Sequence, residues 1–357
     1  MNDTPPPSIG QMLEWDTSSL PLLPALGVVL ALWYWTGAQR VRASGRPWPW
    51  HRTACFLGGC LLLIAVTGLK VESYGYELFS VWMFQHLTLS MAIPPLWVLG
   101  SPGLLLLRST PHRGIGKGIL ALALSALRSP PARWMLHPGF TIPVFLFSYY
   151  GIYLSPIFDT VSALPAGHVF LEIFFLASGL LFIMPVLATG PLPVRQSYLG
   201  RCFDLFVEMP LHVFIGVVLM MATKPLLTTF VDPPPEWGVD VMQDQQLAGA
   251  LAWSYGEPVA LVVVVIFAMR WNRDDKRMNA DLDRRAEIDG DSDLEAYNNF
   301  LRSLNAAERL RLGRPVALRR RRRRASAPLR RQRPGCSSRV RQTFRGGTGC
   351  RRRGRRW

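Results

Sequence analysis

The sequence predicts an all-α fold, a polytopic membrane helical bundle of about seven transmembrane helices with the N-terminus outside and the C-terminus cytoplasmic. Three observations carry this prediction. Apolar runs of about 17–25 residues recur along the chain, each long enough to cross a hydrocarbon layer of roughly 30 Å as a helix. The short alternating segments of a membrane β-barrel are absent. Basic residues gather in every second connection, as expected for a fixed orientation in the bilayer.

The runs cover roughly 20–35, 53–69, 78–100, 139–155, 167–189, 203–222 and 247–271. The first connection carries Arg40, Arg42, Arg46 and Arg52. The third carries Arg108, Arg113, Lys117, Arg128 and Arg133, and the fifth Arg195 and Arg201. The alternate connections hold only Lys70 and Lys224, so the basic loops are expected inside. Residues 1–19 form an outer segment without the positive region of a cleavable signal, and 20–271 form the membrane domain. Within the 101–138 connection the apolar stretch 118–127 is too short to span and reads as an interfacial helix, ended by Ser129-Pro130-Pro131. Beyond the last span, 272–312 is of mixed charge. Its Leu294, Tyr297, Leu301 and Leu304 recur at helical spacing, the pattern of a cytoplasmic amphipathic helix.

The net charge of +16 rests on the 313–357 tail, which holds eighteen arginines and no acidic residue, so the body before it is close to neutral. Such a tail, expected to be disordered, can bind anionic headgroups or nucleic acid without sequence preference. It reads equally as GC-rich DNA translated in an unselected frame, and no specific nucleic-acid partner is inferred. Cys55, Cys60 and Cys202 lie at inner span ends and Cys336 and Cys350 in the tail, so no structural disulfide is expected.

Ionisable residues inside the spans point to function, because each is costly in hydrocarbon. At 1.5 Å per residue, His86 lies about 12 Å below the outer end of span three. His212 sits at a similar level in span six, and Glu257 reaches roughly 15 Å in span seven. His168 and Asp244 lie above this layer, at the mouths of spans five and seven. Glu172 shares a helix face with His168, and Glu208 shares one with His212. Together they outline a polar funnel open to the outside. Met83 and Met209 each precede a histidine by three residues, so thioether and imidazole can face one site. Imidazole suits copper, zinc and iron, thioether favours Cu(I), and a carboxylate such as Glu257 can orient a ligating ring. Against this stands a plain structural reading, in which buried histidines hydrogen-bond across helices and methionines simply pack. His51 and His112 read as solvated, and His137 as a helix start before Pro138.

Span seven holds no lysine for a retinal Schiff base. Phosphate loops, serine-hydrolase elbows and His-Glu-x-x-His motifs are likewise missing, which removes the obvious nucleotide and hydrolase readings. No enzyme is expected, although one of unfamiliar chemistry stays open at this point.

Further residues carry a family resemblance. Gln85-His86 followed by Ile93-Pro94-Pro95-Leu96-Trp97, then Ser178-Gly179-Leu180 after His168, resembles the seven-span CtaG-type cytochrome c oxidase assembly factors associated with caa-type oxidases. The likeness continues in Met209-Pro210-Leu211-His212, Asp244-Gln245-Gln246 and Trp253-Ser254-Tyr255-Gly256-Glu257. Arg270-Trp271 with Asp274-Asp275-Lys276-Arg277 resembles the version found in high-GC Gram-positive bacteria. It covers about 20–304 and omits the tail. The resemblance implies a multi-pass plasma-membrane protein that helps copper reach a terminal oxidase, with oxidase subunits, the lipid bilayer and a copper donor protein as partners. His86, His212, His168, Asp244, Glu257, Met83 and Met209 are the candidate metal residues. Two other classes remain open: a redox protein with haem between His86 and His212, and a scaffold for oxidase subunits that binds no metal.

Overall fold

The computed structural model describes residues 5–16, 21–187, 197–289 and 292–312, so the arginine-rich tail and the 188–196 connection lie outside the described residues. Regular structure among the described residues is helical, apart from one isolated bridge between Trp15 and Leu69. The main helices are α1 (Leu22–Ala43), α2 (Trp50–Gly68), α3 (Phe79–Leu87, Thr88–Ala92 and Ile93–Gly100 in one rod), α4 (Pro138–Leu146 and Phe147–Gly151), α5 (Gly167–Leu187), α6 (Tyr198–Met221), α7 (Val241–Asp289) and α8 (Ser292–Leu312).

Among the described residues six helices, α1–α3 and α5–α7, are long and apolar enough to cross a membrane. The expected fourth span, 139–155, is helical over nearly the same residues. Helical structure in α4 runs over 138–153, about 24 Å at the usual rise, and α4 packs inside the same bundle. The amphipathic stretch before it is helical over Ile115–Arg128, and the side chain of Ser129 then caps the short helix Pro130–Met135. His137 does start α4, accepting the Gly139 N–H on Nδ1 at 3.0 Å. The chain divides into two units, Met1–Asn279 and Ala280–Trp357. In the second, α8 leaves Leu294, Tyr297, Leu301 and Leu304 exposed. Cys55, Cys60 and Cys202 are free thiols.

Within the first unit α2 packs between α1 and the C-terminal part of α3, and α5 packs on α3 and α4. Tyr34 of α1 stacks on Phe56 of α2 at 4.2 Å and donates to the terminal carbonyl of α3 at Gly100, 2.8 Å away. That hydroxyl satisfies one of the orphan acceptors at a helix end.

Two helices widen into π turns, at Thr88–Ala92 in α3 and Phe147–Gly151 in α4. The first immediately precedes Pro94-Pro95, which have no N–H and crowd the carbonyls four residues back. A wider turn relieves the crowding and turns the Ser90 carbonyl outward, where the α5 backbone comes against it. A Cβ on Gly179 would lie only 2.0 Å from that oxygen, so glycine is required at this crossing.

Candidate metal centre

From the loop end of the bundle inward, polar side chains occur at three levels. At the mouth, the short helix Val71–Gly75 follows α2 and turns Glu72 into the protein, where it is 3% exposed. His168 and Glu172, one turn apart on α5, meet it there, and one ligand atom from each of the three lies within 4.8 Å of the others. His168 Nε2 is 3.4 Å from Glu72 Oε1, within ion-pair range yet without a hydrogen bond. Gln85 of α3 donates its amide to Glu72 Oε2 at 2.8 Å and to the Val66 carbonyl at 3.0 Å. Tyr76 stacks on the His168 ring at 3.7 Å, and Trp82 meets it edge-on at 4.2 Å. Glu172 Oε1 is buried with no hydrogen-bond partner among the described residues. Burial pushes the Glu72 carboxyl above the usual carboxylate range.

Midway down α3 lies His86, fully buried, stacked on Phe175 at 3.7 Å and on Tyr149 at 4.4 Å. Its Nδ1 is 2.8 Å from the Tyr153 hydroxyl, while Nε2 has no partner among the described residues. Ser90 ties the two π turns together, donating to the His86 carbonyl at 2.8 Å with its Oγ 2.9 Å from the Tyr149 hydroxyl. Irregular turns of this kind re-aim side chains, and here they set Tyr149 against His86.

At the third level His212 of α6 meets Tyr149 edge-on at 4.9 Å. It is buried, and neither ring nitrogen has a hydrogen-bond partner among the described residues. The imidazole borders a pocket of about 670 Å³ whose lining includes Met91, Glu208, Met209, Ser254 and Glu257. Gly256 makes room for it, because a Cβ there would stand 2.4 Å from His212 Nε2. Pro210 lies within the turn before this point of α6.

The seven sequence-derived candidates therefore separate. Met209, His212 and Glu257 share the pocket, with Glu257 exposed on its α7 wall. His86 approaches His212 through the Tyr149 ring. His168 belongs to the mouth cluster. Met83 is fully buried in the apolar core. Asp244 caps a helix instead. Its carboxylate accepts from the Phe79 N–H at 2.7 Å, from the Ser80 N–H and from the Ser80 hydroxyl. It thereby satisfies the first free donors of α3, the helix that carries His86.

Sequence reasoning missed Glu72, Gln85 as a side chain in its own right, Tyr149, Tyr153 and Met91. Glu72 lies between apolar runs, where a carboxylate in water costs nothing, and no spacing connects it to His168. The tyrosines sit in a run whose one-sided burial depends on the π turn. Met91 could have been noticed, since it follows His86 within the same run.

A family profile described as cytochrome c oxidase caa3 assembly factor matches residues 32–274. Proteins described as uncharacterized from Mycobacterium bovis and Mycobacterium tuberculosis are each 38% identical over 311 residues, 85% of this chain and 46% of their own length. One from Mycobacterium leprae is 36% identical over the same share of this chain and 47% of its own. The chain thus spans about half the length of these curated relatives. No solved structure matches it significantly.

Proposed function

Because the chain belongs to the cytochrome c oxidase caa3 assembly factor family, we propose that it serves terminal-oxidase maturation in the plasma membrane by holding copper briefly in the His212 pocket. The observation that carries this reading is His212 itself: a buried imidazole, both nitrogens unpartnered among the described residues, beside a pocket that Met209 and Met91 also line. A buried polar group without a partner costs about 1–3 kcal/mol, so the site gains when a ligand engages it. Imidazole with thioether suits Cu(I), and Glu208 and Glu257 on the pocket wall offset the cation's charge. His86, its ring fixed by Tyr153, supplies a further unpartnered nitrogen behind Tyr149.

An open pocket with few ligands holds a metal weakly enough to pass it on, as delivery to an oxidase subunit from a copper donor protein requires. The distribution of basic loops favours a mouth on the outer side of the membrane. A haem bridging His86 and His212 would have to displace the Tyr149 ring that both touch.

Copper analysis of the purified chain after loading under reducing conditions tests the reading. His212→Ala and Met209→Leu are expected to lower retained copper by roughly the 10–100-fold typical of a disturbed metal site, or more. Equal copper in wild type and His212→Ala would overturn it.

A further inference from the structure

We propose that Glu72, His168 and Glu172 form a second metal site, for a divalent cation of the zinc class, separate from the His212 pocket.

The cluster draws on two parts of the fold. Glu72 comes from the turn after α2, and His168 and Glu172 come from the first two turns of α5. Their ligand atoms already lie within 4.8 Å of one another in the buried mouth. Two carboxylates side by side in a buried site repel, and each costs several kcal/mol to desolvate when uncompensated. A divalent cation cancels both charges together. The unpartnered atoms fit this occupant, since Glu172 Oε1 and His168 Nε2 have no hydrogen-bond partner among the described residues although both side chains are more than nine-tenths buried.

The surroundings resemble the outer shell of a metal site. Gln85 holds Glu72 by its amide, and Tyr76 and Trp82 fix the His168 ring from face and edge. The donor set has one imidazole, two carboxylates and no sulfur. That chemistry favours a borderline divalent ion such as Zn²⁺ over the Cu(I) suited to the methionine-lined pocket. Tyr76, half-exposed over His168, covers the site on its outer side.

The experiment uses the full chain in detergent, stripped with chelator and titrated with Co²⁺ as an optical probe. One equivalent is expected to bind, giving weak visible bands without sulfur-to-cobalt charge transfer, and Zn²⁺ is expected to displace it. Glu72→Gln and Glu172→Gln keep the size and one acceptor oxygen while removing the charge. Each is expected to weaken binding by more than the roughly 10–100-fold that loss of an outer-shell partner costs. His212→Ala is expected to keep the Co²⁺ equivalent while losing copper, so the two sites are tested apart. Absence of bound Co²⁺ in the wild-type chain overturns the proposal whatever the variants do. Unchanged affinity in a Glu72→Gln/Glu172→Gln double variant overturns it too, leaving a carboxyl pair that shares a proton.

Discussion

His212 is poised by what is missing beside it. Gly256 leaves its imidazole the space of one methyl group, so Gly256→Ala is expected to push the ring off its position and cut copper retention about tenfold. The accompanying loss of stability should be about 1–3 kcal/mol, the usual cost of overpacking, and a thermal melt in detergent reads it. Tyr153→Phe removes the hydrogen bond that orients the His86 ring. It is expected to cost about 0.6–2 kcal/mol, typical of interhelical bonds in membranes, and to lower the melt without abolishing copper binding. Asp159 acts outside the spans, in the short helix Ile157–Ser162. Burial raises its pKa, but bonds from Thr228 and Thr229 outweigh this and hold the carboxyl below the usual range. A depressed native pKa means that the stabilisation is present above the ordinary value of 3.8 and is lost as pH falls through the native value. Melts between neutral pH and pH ~2 should therefore show wild type losing an acid-sensitive increment that Asp159→Asn lacks.

Helix crossings set the second scale. α3 and α5 meet backbone to backbone where the π turn presents the Ser90 carbonyl to Gly179. Neither backbone can yield without breaking the wider turn that Pro94-Pro95 impose. Gly179→Leu is therefore expected to cost more than about 3 kcal/mol, beyond ordinary overpacking. Loss of folded protein after detergent extraction would reveal it, and a normal yield and melt would contradict the crossing. The start of α3 depends on α7 through Asp244, whose oxygens hold the Phe79 and Ser80 N–H groups. The fourth helix follows its apolar run closely, covering 138–153 where the run covers 139–155. α4 ends near Tyr153, and the residues after it turn at Leu154 to feed the Asp159 helix.

Across the whole molecule the basic loops predict one orientation, with the connections before α3, before α5 and before α7 all on the outer side. Cysteines introduced at Lys224 and at Arg113 in a background freed of all five native cysteines should report it. An impermeant thiol reagent applied to intact cells should label the first and spare the second, and the reverse pattern would invert the topology. The order of the long helices and the short helix Ile115–Arg128 were readable from apolar run length, because hydrocarbon thickness sets how long a spanning helix must be. The common depth expected for His86, His212 and Glu257 comes from counting residues, and Met209 pairs with His212 because residues three apart on a helix share a face.

Depth says nothing about rotation around a helix axis, and rotation decides what touches. Rotation sends Met83 into the apolar core and Met91 to the pocket, and it separates His86 from His212 by a tyrosine ring. From the residues alone follow a membrane helical bundle, its likeness to the oxidase assembly family and a set of costly polar groups at a common depth. What required the folded chain is the inward turn of Glu72 against His168 and Glu172, out of a connection that reads as solvent-facing. Glu72 lies far along the chain from its partners, and such a contact is fixed by the packing of α2, α3 and α5 rather than by any local pattern.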